Sequence, residues 1–177
     1  MNKYYKAEMD RLLRFTTRLS GLLFLLPVAA AALVLYAPSR ACMNLPPRFG
    51  PAIVVLVALA AALSAWLARG LAPRGYAVND VELVIDRKLR PISLPLREIA
   101  GVSLLPDGAL RGSLRLMGTS GFYGYYGLFW KRGVGRYRAY QTRLTAVVGV
   151  RTAAGLYTLT PDDPEDFIRT LNSLLGK

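Results

Sequence analysis

The side chains that most often carry catalysis are nearly absent from this chain. It contains no histidine and one cysteine, Cys42, among 177 residues. Without histidine, neither a Ser-His nor a Cys-His pair can form, and no metal site can use an imidazole ligand. A lone cysteine cannot form an internal disulfide, so the fold depends on packing. These absences argue against most hydrolase chemistry, and we expect a protein that is not an enzyme and holds no cofactor.

Two groups of carboxylates remain as possible acid–base or metal sites. In the first, Asp80, Glu82 and Asp86 alternate with apolar residues. That alternation predicts a half-buried strand whose acidic side chains face solvent. The second group lies where a C-terminal helix is expected to begin, a position at which carboxylates cap the helix and interact favourably with its dipole. We therefore expect no metal site in this second group, which comprises Asp162, Asp163, Glu165 and Asp166.

The chain is strongly basic, with 23 Lys+Arg against 11 Asp+Glu and a net charge of +12. It has no compact Lys/Arg block and no recognition-helix pattern, so nucleic acid is not the expected partner. Beside a membrane, such charge faces anionic lipid head groups, where each Lys or Arg contributes about 1 kcal/mol. The basic residues predicted to lie next to the membrane are Lys3, Arg11, Arg14, Arg18, Arg69 and Arg74.

Residues 116–131 combine glycines and aromatic residues in an unusual way. They read LMGTSGFYGYYGLFWK, with a glycine at every third position from 118 to 127. In one interpretation the segment is a long loop folded over a sheet, and its rings form a satellite core. In the other, the rings form an exposed patch that enters the bilayer interface or binds a partner. The first is favoured for most rings, because six exposed rings would promote aggregation.

Candidate contacts to lipid or to a partner protein come from this segment and from basic residues near it or in a predicted turn. Two of the basic residues, Arg136 and Arg138, are two positions apart in a predicted strand and so share a face. The full candidate set is Arg87, Lys88, Arg90, Phe122, Tyr123, Tyr125, Tyr126, Trp130, Lys131, Arg132, Arg136 and Arg138.

Two long apolar runs are expected to position the rest of the chain. Residues 19–37 and 51–68 contain no charged residue. At 1.5 Å per residue, each forms a helix of about 27–28 Å, close to the hydrocarbon thickness of a bilayer. A soluble bundle is the alternative, but neither run has a polar face. We therefore predict a transmembrane hairpin over 19–68, and the charges flanking its spans place both termini in the cytoplasm.

The remaining elements complete an α+β chain. Residues 1–18 form a basic arm, interpreted either as an amphipathic helix in the head-group layer or as a solvated leader. A linker over 69–75 leads to a domain over 76–177, with strands predicted at 80–86, 92–94, 101–105, 135–142, 144–152 and 156–160. A last helix follows residue 160, with Phe167, Leu171 and Leu174 on its apolar face.

Two motifs carry a resemblance to a known family. Residues 118–129 follow the pattern G-x-x-G-φ-x-G-Y-Y-G-x-F, and residues 161–167 follow P-x-D-P-E-x-F. In these motifs and in residues 76–86 the chain resembles the membrane-anchored branch of the bacterial PH-like domain proteins. The resemblance implies two packed antiparallel sheets with about seven strands, capped by a C-terminal helix, and it implies no catalytic role. Eukaryotic PH domains often bind phosphoinositides through a basic first loop, to which the turn at Arg87, Lys88 and Arg90 is roughly comparable.

The expected function follows from the anchor, the charge and the missing catalytic residues. We expect a non-enzymatic module, held in the bacterial inner membrane, that binds a partner protein or anionic lipid at the cytoplasmic face. The alternative is a small structural subunit of a larger membrane complex or a homo-oligomer. Small residues crowd both apolar runs, and such residues permit close packing of helices in membranes.

Overall fold

The structure is a computed structural model that describes residues 3–23, 25–36 and 49–176. Over these ranges the helices are α1 (Arg11–Leu23), α2 (Leu25–Tyr36), α3 (Phe49–Leu71) and α4 (Pro164–Leu174). The strands are β1 (Lys3–Lys6), β2 (Pro73–Val78), β3 (Glu82–Arg87), β4 (Ile92–Pro95), β5 (Ile99–Leu104), β6 (Leu114–Ser120), β7 (Tyr125–Lys131), β8 (Gly135–Gln141), β9 (Val148–Thr152) and β10 (Gly155–Leu159). Cys42 and most of the predicted connecting loop lie outside the described residues.

The strands form two sheets that enclose one hydrophobic core. The first sheet has the order β1-β2-β3-β4 and the second the order β5-β9-β10-β8-β7-β6. Tyr76 and Ile85 of the first sheet meet Val150 of the second in the core, and α4 adds Phe167 and Leu171. The expected arrangement of two packed sheets and a C-terminal helix is confirmed. We refer to the two sheets and α4 as the head domain.

The second sheet differs from the expected antiparallel sheet. Strand β10 lies between β8 and β9, antiparallel to β9 but parallel to β8. The connection from β8 to β9 therefore crosses the position that β10 occupies. The β9–β10 hairpin then places β10 between β8 and β9. The described residues form ten strands rather than about seven, and β1, β2, β6 and β7 are not among the six strands that the sequence pattern predicts.

The N-terminal segment contributes a strand to the head domain. Strand β1 pairs antiparallel with β2. Tyr5 on β1 is buried, and its ring meets Phe167 edge-on at 5.0 Å between centroids. Its hydroxyl donates to Asp166 Oδ2 at 2.7 Å and lies 2.9 Å from Thr170 Oγ1. The helical interpretation is therefore wrong for residues 3–6, because strand pairing and this buried phenol hold them extended.

The predicted strand at 80–86 begins two residues later than expected. Leu83 and Ile85 are fully buried, as the alternation predicts, but Val81 is 73% exposed. The cause is local, because Asn79 Oδ1 accepts hydrogen bonds from the amides of Val81 at 2.9 Å and Glu82 at 2.7 Å. Such a side-chain acceptor stabilises a turn and keeps Val81 out of the strand.

Helix α3 is the one helix within the described ranges that is long and apolar enough to cross a bilayer. The candidate span is Ala52–Leu71, with a mean hydropathy of 2.2, and its apolar 18-residue window has no buried residue. The described part of the first predicted run belongs to the end of α1 and to α2, and residue 24 between them lies outside the described residues. Helix α2 packs against α3. A transmembrane hairpin of two spans is not shown by the described residues, and it stays a prediction.

The predicted linker at 69–75 is replaced by a direct junction. Helix α3 ends at Leu71 and β2 begins at Pro73. The last turn of α3 is held by β7 and by the β3–β4 turn, because the Tyr126 hydroxyl donates to the Ala68 carbonyl at 2.6 Å and the Leu89 amide to the Gly70 carbonyl at 2.7 Å. These donors satisfy carbonyls that a helix end leaves without partners. The orientation of α3 relative to the head domain is therefore fixed.

Candidate functional site

Two arginines and two tyrosines form a stack at one end of the head domain. The Arg87 guanidinium lies over the Tyr140 ring, 5.3 Å from its centroid. Tyr140 and Tyr157 stack with 6.3 Å between centroids and 17° between planes. Arg138 lies over the Tyr157 ring at 5.4 Å. Each arginine is within the range of a favourable cation–π contact. We call these four residues the Arg–Tyr cluster.

Strand pairing brings the members of the Arg–Tyr cluster together. Arg138 and Tyr140 share a face of β8, and Tyr157 lies opposite Arg138 in the parallel β8–β10 pair. Arg87 is the last residue of β3 and reaches the cluster from the other sheet. The cluster therefore bridges the two sheets. Sequence reasoning identified both arginines but missed both tyrosines, since only the parallel pairing places Tyr157 beside β8.

Burial and neighbouring charges define the electrostatics of the cluster. Burial lowers the pKa of the Arg87 guanidinium, and the positive charge of Arg90 lowers it further. The phenols of Tyr140 and Tyr126 raise this pKa and so offset part of the change. None of these neighbours is a carboxylate. Burial raises the pKa of Tyr140, while the positive charges of Arg87 and Arg138 oppose that rise. Both guanidinium groups thus act on the same phenol.

The donors of the two guanidinium groups are only partly used by the protein. Arg87 donates through Nη2 to the Arg90 carbonyl, and its Nε is buried with no hydrogen-bond partner among the described residues. Arg138 donates through Nη1 to the Ala154 carbonyl at 3.0 Å and, more weakly, to the Tyr157 hydroxyl at 3.4 Å. A guanidinium group carries five N–H donors, so each retains capacity for an anionic acceptor.

The Arg–Tyr cluster lies beside the end of α3. Arg87 is paired with Pro73, two residues after the helix ends. Its charge acts on Tyr126, the residue whose hydroxyl binds the Ala68 carbonyl. The adjoining turn exposes Lys88 and Arg90. The predicted basic turn therefore lies next to the last turn of the apolar helix.

The basic residues of β7 and β8 separate into two groups. Trp130 is 39% exposed and lies opposite Arg136, which is on the same face of β8 as Arg138, as predicted. Arg132 is exposed in the intervening turn. Lys131 instead donates to the Arg111 carbonyl, in the loop that covers the other face of the sheet. Lys131 is therefore not placed with the other basic residues.

The Gly/aromatic segment is a β-hairpin, not a long loop. Gly118 and Gly127 are directly opposite in the β6–β7 pair, with φ angles of +110° and +124°. A Cβ at Gly118 would lie 2.1 Å from the Tyr126 carbonyl oxygen, and one at Gly127 would lie 2.2 Å from the Met117 carbonyl oxygen. The two strands approach too closely for side chains here, which explains glycine at both positions.

The rings of this hairpin mostly pack against the protein. Tyr126 and Phe129 are each 5% exposed, which confirms the packing interpretation for them and removes Tyr126 from the candidate contacts. Phe122 and Tyr123 are half-buried in the turn, with 4.7 Å between their centroids, and Tyr125 is also half-buried. The Tyr123 amide donates to Thr17 Oγ1 at 3.0 Å. The hairpin therefore contacts both α1 and α3.

The predicted juxtamembrane residues differ in whether they have a partner within the protein. Lys3 forms an ion pair with Asp166, which raises the pKa of Lys3 and lowers that of Asp166. This pairing fastens β1 to α4, so Lys3 has a partner within the protein. The other predicted juxtamembrane residues are exposed, on α1, at the end of α3 and on β2; they are Arg11, Arg14, Arg18, Arg69 and Arg74.

Several of the carboxylates considered as chemical sites have structural partners. Asp163 is the N-cap of α4, and its side chain accepts from the Asp166 amide at 3.0 Å. Asp86 accepts from the Tyr4 hydroxyl at 2.9 Å. Within the described ranges, no group of three or more His, Cys, Asp or Glu side chains is arranged to hold a metal ion. Capping explains the acidic start of α4, as predicted.

A cavity of about 330 Å³ lies on the outer face of the second sheet, separate from the Arg–Tyr cluster. It is bounded by the loop at 105–113 and floored by Phe129 and Tyr137, whose rings stack at 5.8 Å. Its lining is mainly apolar, with Arg111 and Asp107 in the loop. The cavity has room for a small ligand, but its charged lining residues are of opposite sign and form no cluster of like charges.

Comparison with known proteins places the head domain in a family. The model of a family described as "Bacterial PH domain" matches residues 74–175, from β2 to the end of α4. No curated protein and no solved structure matches the chain. The match covers more than half of the 177 residues and includes all of the Arg–Tyr cluster. The chain therefore belongs to the bacterial PH domain family.

Proposed function

We propose that this chain is a membrane-anchored binding module whose PH domain lies at the cytoplasmic face of the bacterial inner membrane. In this proposal α3 crosses the bilayer and α2 packs beside it as part of the predicted hairpin. The head domain binds anionic lipid or a partner protein there and catalyses no reaction.

The observation that carries this proposal is the exposed apolar surface of α3. Leu56, Leu59 and Leu63 are 67%, 62% and 57% exposed in a helix without a charge before Arg69. A core helix of a water-soluble protein of this hydropathy would be buried. The one hydroxyl in its middle, on Ser64, donates to the Ala60 carbonyl at 2.8 Å, as a polar side chain in hydrocarbon requires.

The distribution of charge supports the orientation. Exposed arginines lie on α1 before the first apolar run, and Arg69, Arg74, Lys88 and Arg90 lie at or just after the end of α3. The positive-inside rule assigns such flanks to the cytoplasm. Because α3 joins β2 through a single residue, the basic turn would lie at head-group depth.

Binding is favoured over catalysis by the roles already found for the polar residues. The chain has no histidine, and the carboxylates Asp86, Asp163 and Asp166 contact other groups of the protein. The Arg–Tyr cluster concentrates positive charge without a nucleophile or a general base. Such a group is suited to binding an anion.

Anchoring is tested by alkaline extraction of membranes from cells that produce the full chain. We expect the wild-type chain to remain in the membrane pellet. Leu59→Arg, which puts a charge near the middle of α3 at a cost of about 2.5–3.5 kcal/mol, should shift protein to the supernatant. The matched control Leu114→Arg changes a leucine of the head domain that is 60% exposed, against 62% for Leu59, and should stay in the pellet. Release of the wild-type chain would overturn the proposal.

Orientation is tested with the single native cysteine as a probe. In intact spheroplasts, a membrane-impermeant thiol reagent should label Cys42, which lies between the two apolar runs. A Cys42→Ser variant carrying Ser173→Cys, an exposed position on α4, should be labelled only after the membrane is opened. The reverse pattern would place the head domain outside the cell and would contradict the proposed location.

Cross-linking in native membranes separates a binding module from a structural subunit. A module that engages partners transiently should give several weak adducts, or none beyond the monomer. A single defined larger band, present in all of the protein, would support the alternative function as a subunit of a complex or a homo-oligomer.

A further inference from the structure

A row of small residues crosses the outer face of the second sheet beneath the cavity. Gly127 of β7 lies opposite Ala139 of β8. Ala139 pairs with Thr158 of β10, which in turn pairs with Gly149 of β9. Paired residues share a face of a sheet, so no side chain larger than threonine rises from this row. The row is the bottom of a trough that crosses four strands.

Larger side chains border this trough on both sides. Two positions along β7 and β8 in one direction, Phe129 lies opposite Tyr137, and the two rings stack. Two positions in the other direction, Tyr125 lies opposite Gln141. The two bordering rows are four residues apart along each strand, which is about 13 Å. The trough is therefore wide enough for a flat ring system.

The loop at 105–113 covers the trough and so encloses the cavity of about 330 Å³. At the β9 end, a side-chain atom of Leu105 lies 3.1 Å from the position that a Cβ would take at Gly149, so this end is closed. Leu110 of the loop packs against the Phe129 and Tyr137 rings. Because an apolar cavity of about 150 Å³ binds one benzene ring, this cavity has room for about two fused rings.

Gln141 supplies a polar group on the cavity wall. Its side chain lines the cavity although the residue is only 3% exposed, and its Nε2 donates to Thr158 Oγ1 at 2.6 Å. Its Oε1 accepts no hydrogen bond from the residues that the structure describes, and this atom is not fully buried. A molecule in the cavity can therefore donate a hydrogen bond to it.

We propose that this cavity binds a small uncharged compound with a flat aromatic body of about two fused rings and one N–H or O–H donor. The rings lie in the trough over Ala139, and the donor binds Gln141 Oε1. A charged compound is disfavoured, because the two charged lining residues, Asp107 and Arg111, are opposite in sign and both exposed. The site goes beyond the proposed function, since neither the anchor nor the Arg–Tyr cluster takes part in it.

Imperfect packing of the loop is the competing explanation. In that view the cavity holds only water, and a larger side chain in the trough changes stability alone. The two explanations differ in one measurable respect. A binding site distinguishes between related compounds of the same size, whereas a packing defect does not.

The test uses the full chain in a mild non-ionic detergent, with isotope-labelled leucine and valine methyl groups observed by NMR. The probes are indole, N-methylindole, which lacks the donor, and indole-2-carboxylate, which adds a negative charge. Each of the last two should bind about fivefold or more weakly than indole, because one loses a hydrogen bond and the other buries an unpaired charge. Indole should give saturable shifts at lining residues but not at Leu83 in the main core; the lining residues are Leu105, Leu110, Leu144 and Val147.

Two variants with matched controls locate the site. Ala139→Leu extends a side chain into the trough and should weaken indole binding by about tenfold or more, whereas Ala153→Leu makes the same change in an exposed turn and should weaken it by less than about twofold. Gln141→Leu should weaken indole binding by about fivefold and leave N-methylindole unchanged. Thermal unfolding of each variant reports whether the fold is retained, and the comparison of probes on the wild-type chain needs no variant.

Several results would overturn the inference. They are the absence of saturable shifts with the wild-type chain, equal affinities of that chain for indole and N-methylindole, and equal affinities of a folded Ala139→Leu variant and the wild type for indole. Saturable shifts with octanol but not with indole would assign the cavity to an alkyl chain and would also overturn it. None of these results affects the extraction and labelling experiments, which test the anchor and orientation independently.

Discussion

Adjacent tyrosines in β1 provide a direct test of whether the N-terminal segment is part of the head domain. Tyr5 is 3% exposed and packs against Phe167, whereas its neighbour Tyr4 is 51% exposed. A strand places adjacent side chains on opposite faces, which accounts for this difference. Tyr5→Ala and Tyr4→Ala therefore remove the same side chain from a buried and an exposed position on one strand.

The expected magnitudes follow from what each ring contacts. Replacing a buried aromatic residue by alanine costs about 3–5 kcal/mol in stability, because apolar contact is lost and a cavity remains. Tyr5→Phe should cost about 1 kcal/mol, because it removes the hydrogen bonds to Asp166 and Thr170 but keeps the ring. Tyr4→Ala should cost less than about 1 kcal/mol, since it removes one exposed hydrogen bond to Asp86.

Pulse proteolysis in urea, with the full chain in mild detergent, measures the folded fraction of the head domain. The order of midpoints should be wild type, then Tyr4→Ala close below it, then Tyr5→Phe and last Tyr5→Ala. If Tyr4→Ala and Tyr5→Ala agree to within about 0.5 kcal/mol, residues 3–6 do not form a strand of the sheet. The reasoning from β1 would then fail, and an arm on the membrane surface would be the better description.

Three further predictions concern the core, the hairpin and the last helix. Burial raises the pKa of Tyr76 to about 12. The phenol ionises more readily in the unfolded chain, so the free energy of unfolding should be constant below pH 10 and fall by up to about 3 kcal/mol between pH 10 and 12. Tyr76→Phe should show a smaller fall over that interval in alkaline unfolding. Gly127→Ala should lower the urea midpoint much more than Gly133→Ala, because both glycines have positive φ but only Gly127 has backbone within 2.2 Å of an added Cβ. Asp163→Ala should cost about 1 kcal/mol by removing the N-cap of α4, whereas Glu165→Ala should cost less in the same assay.

Local patterns predicted the parts of the fold that depend on neighbouring residues. The acidic residues at 162–166 predicted the start of α4, and its apolar stripe predicted the burial of Phe167 and Leu171. Alternation predicted the burial of Leu83 and Ile85. In each case the signal and the structure lie within one turn or one strand, so no distant partner was needed.

The elements that sequence reasoning missed depend on distant partners or on unusual backbone. Strand β1 is four residues long, and its partner lies about 70 residues away, so no local pattern reveals it. The β6–β7 hairpin was hidden because its facing glycines, Gly118 and Gly127, interrupt the alternation that marks a strand. Their positive φ angles and close approach are properties of the pair, not of either segment.

In the candidate site too, local patterns predicted some features, whereas features that depend on distant strand pairing were missed. Arg136 and Arg138 were placed on one face by their spacing, and the basic turn at Arg87 was visible as a charge cluster. What the sequence did not contain was the parallel pairing that brings Tyr157 beside Arg138. That pairing, rather than the loop charges alone, gives the arginines their stacked orientation.

The junction between α3 and the head domain links the direction of the apolar helix to the position of the Arg–Tyr cluster. A flexible linker would let the domain rotate, and any basic surface could then meet the membrane. Here the helix end is held by hydrogen bonds from Tyr126 in the second sheet and from Leu89 in the β3–β4 turn, with a single residue before β2. If α3 spans the bilayer, its direction fixes which end of the domain meets the lipid. That end carries the Arg–Tyr cluster and the exposed Lys88 and Arg90, so the approach of these cations to the membrane would depend on the rigid junction.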